Sequence, residues 1–484
     1  MTADKPRDFP ALPATIERIH IIGICGTAMG SLAAMLKERG FEVRGSDAMA
    51  YPPMSTWLEE RGIDIMRGYD KANLDWNPDI VIVGNVSRAT YADAVATRER
   101  NIPYLSLPEA LRHFFFEDRR PLVLTGTHGK TTTTGMLAWI LTDQGRDPGF
   151  MVGGITGNFG SNYRLGKGDC FVIEGDEYDT AYFDKVPKFW HYAPFRATIN
   201  NLEFDHADIY ESVEDIEHVF RRFCDLIPTK GSLWVNGDDA RAMAVSEHRQ
   251  DIRKTFGLGE ANTLRATDLR FEKGRTRATV SLDDQMLGEL DLATLGDFNV
   301  RNALGATAIA MDEGLSFEQV ADAMRRFKSV RRRQEHIAHV AGIDIYDDFA
   351  HHPTAVGATL KAMRSQFPDR RLWAIFEAKS NTSRRRVFQD DYPPAFALAD
   401  RVILSRPWKK DDDLPEEMRV DISDIAESIR QLGPTTELIE EVDDIVRHVA
   451  GQAEPGDLIV GLSGAAFGGL HHKLASALRE RFEP

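Results

Sequence analysis

Leu122-Val123-Leu124-Thr125-Gly126-Thr127-His128-Gly129-Lys130-Thr131-Thr132-Thr133-Thr134 is the stretch from which the fold of this chain is read. An apolar, β-prone run enters a turn with two glycines, and a lysine followed by hydroxyl residues opens a helix through Gly135-Met136-Leu137-Ala138-Trp139-Ile140. These are the parts of a phosphate cradle. Glycines let backbone N–H groups approach anionic oxygens, a helix N-terminus adds roughly half a positive charge, and Lys130 adds a whole one. Thr131 then offers its hydroxyl to a Mg²⁺ carried by a nucleotide. The generic P-loop pattern wants a glycine where Leu124 stands, so the motif is the shorter Gly126-Thr127-His128-Gly129-Lys130-Thr131-Thr132. A plain strand-turn-helix gives no reason for Lys-Thr at the helix start.

The 484 residues around this loop exceed what one core serves, so several domains are expected. With 42% hydrophobic and 28% charged residues the composition is that of a soluble globular protein. A net charge of -16 argues against a nucleic-acid surface while leaving room for local basic pockets. Cys25, Cys170 and Cys224 are scattered and odd in number, which fits a reducing compartment without disulfides. The run Ile19 to Leu36 lacks charged residues, but glycines 23, 26 and 30 interrupt it, so it reads as strand-turn-helix rather than a membrane span. A cytoplasmic protein with no membrane partner is expected.

Three α/β regions follow, with boundaries at 1–118, 119–329 and 330–484. In the first, the strand Arg18-Ile-His-Ile-Ile leads to a glycine turn over Cys25 to Gly30, then a helix from Ser31, then a strand ending at Asp47. The spacing of Gly23, Gly26 and Gly30 departs from the dinucleotide fingerprint, leaving a ligand loop and tight packing as equal readings. In the second, Glu174, Asp176, Glu177 and Asp179 follow the buried strand Asp169-Cys-Phe-Val-Ile. A carboxylate at the end of a strand parallel to the phosphate-loop strand is where a hard cation finds a ligand; a solvated acidic turn is the alternative.

Further on, Glu203-Phe-Asp205-His206-Ala-Asp208 precedes an amphipathic helix bearing Val213, Ile216, Phe220, Phe223 and Ile227. A lone His206 would be a packing histidine, but the carboxylates around it favour a metal or catalytic pocket. Asn299 and Asn302 share one helical face, where they cap a helix or read an adenine edge. In the third region a strand ends in Asp347-Asp348-Phe-Ala-His351-His352-Pro. This histidine pair is not a zinc motif by spacing, since adjacent residues point differently.

Taken in order, Ile19-His-Ile-Ile-Gly-Ile-Cys-Gly-Thr-Ala-Met-Gly, Gly126-Thr-His-Gly-Lys-Thr-Thr-Thr, Glu174-Gly-Asp-Glu-Tyr-Asp, Asp205-His-Ala-Asp, Asn299-Val-Arg-Asn and Asp347-Asp-Phe-Ala-His-His-Pro-Thr resemble the motifs of the Mur ligases over nearly the whole chain. These are the ATP-dependent amide-forming enzymes of peptidoglycan assembly. The resemblance implies three α/β domains: a Rossmann-like domain for a UDP-substrate, a central P-loop ATPase-like domain, and a Rossmann-like domain for the amine substrate. Ser380-Asn381-Thr382 and Phe467-Gly-Gly-Leu-His are most similar to the recycling branch, which joins UDP-N-acetylmuramate to L-alanyl-γ-D-glutamyl-meso-diaminopimelate through an acyl phosphate. The L-alanine-adding branch is the alternative. Ala378-Lys379 and Gly464-Ala465-Ala466 depart from the branch pattern, both in the third region.

By the same resemblance, Lys130 holds the β- and γ-phosphates, and Gly126, Thr127, His128, Gly129, Thr131 and Thr132 complete the ATP cradle. Thr131 and Glu174 take one Mg²⁺, and His206 with Glu174 a second. Asn299 and Asn302 read adenine, while Arg333 and Asp348 close over the nucleotide. Gly26, Thr27, Ala28, Met29, Ser46, Asp47 and Asn85 hold the uridine diphosphate. His351 contacts substrate, and Lys379, Ser380, Asn381, Thr382 and Arg384 receive the acceptor.

Overall fold

The computed structural model describes residues 5–407 and 414–483. Among them, alternating strands and helices build three main sheets. The first has five parallel strands in the order Asp64–Arg67, Glu42–Asp47, Arg18–Ile22, Ile80–Val83, Tyr104–Ser106. Strand order reverses between Arg18–Ile22 and Ile80–Val83, and the crevice at such a reversal is where α/β sheets bind ligands. The glycine turn and Asn85 both lie there.

One boundary differs from the sequence reading. The helix begins at Thr27, not Ser31, and runs to Glu38 with Gly26 as its extended N-cap residue. The absence of a β-branched run or proline lets Thr27-Ala28-Met29-Gly30 take helical geometry, so the turn is shorter than its glycines suggest.

The second sheet has ten strands, and its centre is parallel. The phosphate-loop strand Arg120–Thr125 lies between Cys170–Gly175 and Arg196–Ile199, with Leu124 opposite Glu174 and Thr125 opposite Ile199. Because helices cover both faces, these strands are continuous apolar runs rather than alternating ones. On one face Leu122, Leu124 and Val172 pack against Met136, Leu137, Ile140, Val300 and Leu304 of the helices Lys130–Asp143 and Asp297–Asp312. On the other, Val123, Phe171 and Ile173 share a core with Phe220 and Phe223 of the helix Val213–Asp225, as its spacing predicted. That helix starts with a reciprocal Ser212–Asp215 capping box.

The same core extends into the first domain, where Phe116 packs against Phe171 with tilted rings, 5.0 Å between centroids. Each fully buried phenylalanine contributes roughly 1.5–3 kcal/mol, so this aromatic seam binds the first two domains strongly.

The third sheet runs Glu335–Val340, Ile343–Asp348, Leu458–Ser463, Leu372–Glu377, Arg401–Leu404, Thr435–Leu438, parallel except for its first strand. It is joined to the second by a turn in which Arg332 (φ 59°) and Gln334 (φ 51°) both adopt left-handed backbone. Before the turn, the Arg331 N–H donates to Ile155 O of the central domain at 2.8 Å; after it, the Phe349 N–H donates to Arg332 O at 2.8 Å. No helix among the described residues is long and apolar enough to cross a membrane.

Candidate active site

The phosphate loop is held open by backbone only glycine adopts readily: Gly126 has φ 131° and Gly129, the N-cap of Lys130–Asp143, has φ 83°. Lys130 Nζ folds back onto the loop, donating to Gly126 O at 2.7 Å, Thr127 O at 3.2 Å and both Glu177 carboxylate oxygens at 2.9 Å. Burial by itself would depress this ammonium, yet Glu177 and then Asp176 outweigh it and hold Lys130 above its ordinary value.

Glu174 stands beside the loop because of the strand register. Its carboxylate accepts from Thr131 Oγ1 at 3.0 Å and from the Gly153 N–H. Burial raises its pKa, with the Gly153 N–H, the Thr131 hydroxyl and Arg333 opposing. Arg333 Nη2 in turn donates to Thr131 Oγ1 at 3.3 Å, so the third domain brings a cation to the phosphate loop. The guanidinium rests 4.8 Å over the Phe349 ring. Asp348 supports the same segment, accepting from the Gln334 and Ala350 N–H groups at 2.8 and 2.7 Å.

His206 does not pair with Glu174. Its Nε2 lies 3.3 Å from Glu177 Oε1, and ligand-capable atoms of Asp176, Glu177 and His206 all fall within 4.8 Å of one another. Glu174 sits within the strand and is aimed at Thr131, whereas Glu177 follows the strand and its orientation is set by the loop. His206 itself adopts a left-handed φ of 55°, a strained state for a non-glycine residue. Burial would depress its imidazole, but Asp205 and Glu177 together lift it to about 9.

Asn299 and Asn302 do not cap their helix, whose N-cap is Gly296 with no side-chain bond. Both are buried in an amide chain behind the loop. Asn302 Nδ2 donates to Asn299 Oδ1 at 3.1 Å, and Asn200 Nδ2 donates to Thr133 Oγ1 at 2.7 Å and Asn302 Oδ1 at 3.3 Å. A Cβ on Gly129 would run into Asn302 Oδ1.

In the first domain Gly26, Thr27 and Ala28 are exposed at the crevice. Met29 and Ser46 are not, which corrects their expected contact with the uridine diphosphate: Met29 faces the core, and the fully buried Ser46 hydroxyl donates to Asp93 Oδ2 at 2.5 Å. Asp47 braces the turn by accepting from the Cys25 N–H at 2.9 Å and the Met49 N–H at 2.8 Å. Asn85 reaches across to the central domain, donating to Asp179 O.

The expected acceptor segment docks on the loop that carries His206. Asn381 Nδ2 donates to Asp208 Oδ2 at 3.0 Å and Thr382 Oγ1 to Asp205 Oδ1 at 2.7 Å. Arg384 is buried and donates to Asn381 Oδ1 at 3.3 Å; Ser380 bonds Ser383 at 2.8 Å, and Lys379 lies 3.7 Å from Glu377. His351 Nδ1 donates to Phe349 O at 2.9 Å, and burial lowers its pKa. Sequence reading gave Glu177 and Asp205 no role of their own. They stood inside quoted motifs, but no periodicity tells which acid of a loop faces a lysine.

This donor set suits Mg-nucleotide: left-handed glycines at a helix N-terminus, a buried ammonium, and hard oxygens from Thr131 and Glu174. Family models match residues 18–117 (Mur ligase family, catalytic domain), 124–310 (Mur ligase middle domain) and 332–465 (Mur ligase, glutamate ligase domain). The chain is 40% identical over 475 residues to UDP-N-acetylmuramate--L-alanyl-gamma-D-glutamyl-meso-2,6-diaminoheptandioate ligase of Escherichia coli K12, covering 96% of this chain and 99% of that one. A UDP-N-acetylmuramate--L-alanine ligase of Desulfitobacterium hafniense is 31% identical, covering 92% and 96%. The solved murein peptide ligase of Psychrobacter arcticus superposes with a TM-score of 0.70 at 34% identity, over 96% and 99% of the two chains. Motif order, three-domain architecture and whole-length similarity agree: this chain belongs to the Mur ligase family of ATP-dependent, amide-forming ligases.

Proposed function

We propose that the enzyme joins UDP-N-acetylmuramate to L-alanyl-γ-D-glutamyl-meso-diaminopimelate at the expense of ATP, in murein recycling. ATP and nucleotide-sugar substrates set the reaction in the cytoplasm. One observation carries the reading: Lys130, Arg333 and the segment Ser380–Arg384 converge on one place, supplied by the phosphate loop, the interdomain turn and the third domain. The similarity to the E. coli tripeptide ligase favours this acceptor over L-alanine.

The substrate's lactyl carboxylate attacks the γ-phosphorus, the bond to ADP breaks, and an acyl phosphate results; the peptide amine then attacks the acyl carbon and phosphate leaves. Two anions meet in the first step, so fixed positive charge is the main requirement. Lys130 supplies it from the phosphate loop and Arg333 from the third domain. Thr131 and Glu174 would hold one Mg²⁺, and His206 with Asp176 and Glu177 a second; bound Mg²⁺ screens the phosphate charge. His351, with Nδ1–H fixed on Phe349 O and its pKa lowered by burial, presents a neutral Nε2 lone pair that accepts the proton of the incoming amine.

Phosphate release with UDP-N-acetylmuramate plus either acceptor tests this. Strong preference for the tripeptide is expected, and an enzyme that uses L-alanine efficiently and ignores the tripeptide would overturn it in favour of the alanine ligase. In the same assay, Glu174→Ala and His206→Ala should each raise the Mg²⁺ concentration needed for half-maximal rate. Wild-type Mg²⁺ dependence in both variants would remove these residues from the metal sites.

A further inference from the structure

Glu203 carries a carboxylate that the reaction above does not use. Its Oε2 lies 3.3 Å from Nε2 of His128 in the phosphate loop and 3.7 Å from Nδ1 of His352, the N-cap of the third-domain helix Pro353–Gln366. Ligand-capable atoms of all three lie within 4.8 Å of one another. A tetrahedral ion with bonds of about 2.0–2.1 Å has donor–donor edges of about 3.3–3.4 Å. One edge of the trio already has that length, and the second is a few tenths of an ångström longer.

The contacts around the trio fix the orientation of its rings. His352 Nε2–H donates to Phe204 O at 3.2 Å, which leaves Nδ1 as the acceptor atom, 3.7 Å from Glu203 Oε2. The Thr354 N–H reaches this Nδ1 loosely, at 3.3 Å, and the Thr354 hydroxyl donates to Glu203 Oε2 at 2.7 Å. The imidazole N–H bound to a backbone carbonyl is also the usual outer support of a metal-ligating histidine.

We propose that His128, Glu203 and His352 form a zinc-class metal site that fastens the phosphate loop to the third domain. Two imidazoles and one carboxylate match Zn²⁺ rather than Mg²⁺, which prefers an octahedron of oxygens. A cavity of about 450 Å³ lined by Glu203, His352 and Thr354 borders the trio. Adjacent His351 is not part of this cluster. The zinc ligands thus come from 128, 203 and 352, a spacing no sequence motif records.

The test uses the full-length, metal-stripped protein. Co²⁺ is titrated while the visible spectrum is recorded, and Zn²⁺ by calorimetry with excess Mg²⁺ present to fill the oxygen sites. One equivalent with tetrahedral cobalt bands is expected. Glu203→Gln and His352→Asn, the latter chosen because asparagine keeps the helix cap, should weaken Zn²⁺ binding by roughly tenfold or more, whereas His206→Ala should leave it unchanged. If His352→Asn fails to fold, Glu203→Gln carries the comparison. Absence of tetrahedral bands, unchanged affinity in the Glu203 and His352 variants, or loss that tracks His206 overturns the proposal.

Discussion

Lys130→Ala is expected to lower the rate of phosphate release by more than a hundredfold while UDP-N-acetylmuramate still binds. The ammonium is the one full positive charge on the phosphate loop itself, and losing a single preorganised transition-state contact of this kind costs on the order of 3 kcal/mol. The uridine diphosphate is handled at the crevice of another sheet, so calorimetric binding of that substrate should survive. A second consequence follows from burial. The variant strands Glu177, only 2% exposed, without its main counterion, and breaking a buried pair destabilises by roughly 3–5 kcal/mol. Lys130→Met combined with Glu177→Gln should recover much of that stability and none of the rate. A Lys130→Ala enzyme that releases phosphate at nearly the wild-type rate would remove the loop from the chemistry.

Gly129→Ala should destabilise the central domain strongly. At φ 83° an alanine costs roughly 1–2 kcal/mol in backbone strain. Its Cβ also displaces Asn302, and unmaking buried amide bonds there adds about 1–3 kcal/mol. At about 2–4 °C per kcal/mol for a domain of this size, thermal unfolding should shift down on the order of 10 °C. A melting curve within a degree or two of wild type would show that the amide chain yields without cost.

Much of this architecture was legible because it follows from local rules. The apolar run into Gly126 and Lys130 gave the strand, the turn and the helix. A carboxylate ending the neighbouring parallel strand gave Glu174, and the strand register aims it at Thr131. What could not be read depends on loops and on distance along the chain. The glycines after Ile24 suggested a longer turn, yet nothing in Thr27-Ala28-Met29 opposes a helix, and Met29 went to the core. Ser46 ends a strand where ligands often bind, but its face of the sheet is covered and Asp93 takes its hydroxyl. Sequence motifs pair His206 with Glu174, whereas the loop after the strand brings Glu177 to its ring, a turn that no periodicity records. The trio at Glu203 joins residues from two domains, and only the packing brings them together.

The turn between the second and third sheets has a mechanical reading. Arg332 is clamped to the third domain by Asp347 at 3.2 Å and by the Ser463 carbonyl at 2.7 Å, while Arg331 remains tied to Ile155. The lever therefore begins within two consecutive residues, and Arg333, resting on Phe349, rides on its moving arm. Any swing that lifts the third sheet from the second withdraws the arginine from Thr131 and the acceptor segment from Asp205 and Asp208 in one stroke. Charge compensation and acceptor delivery are geared together, so an open enzyme has neither.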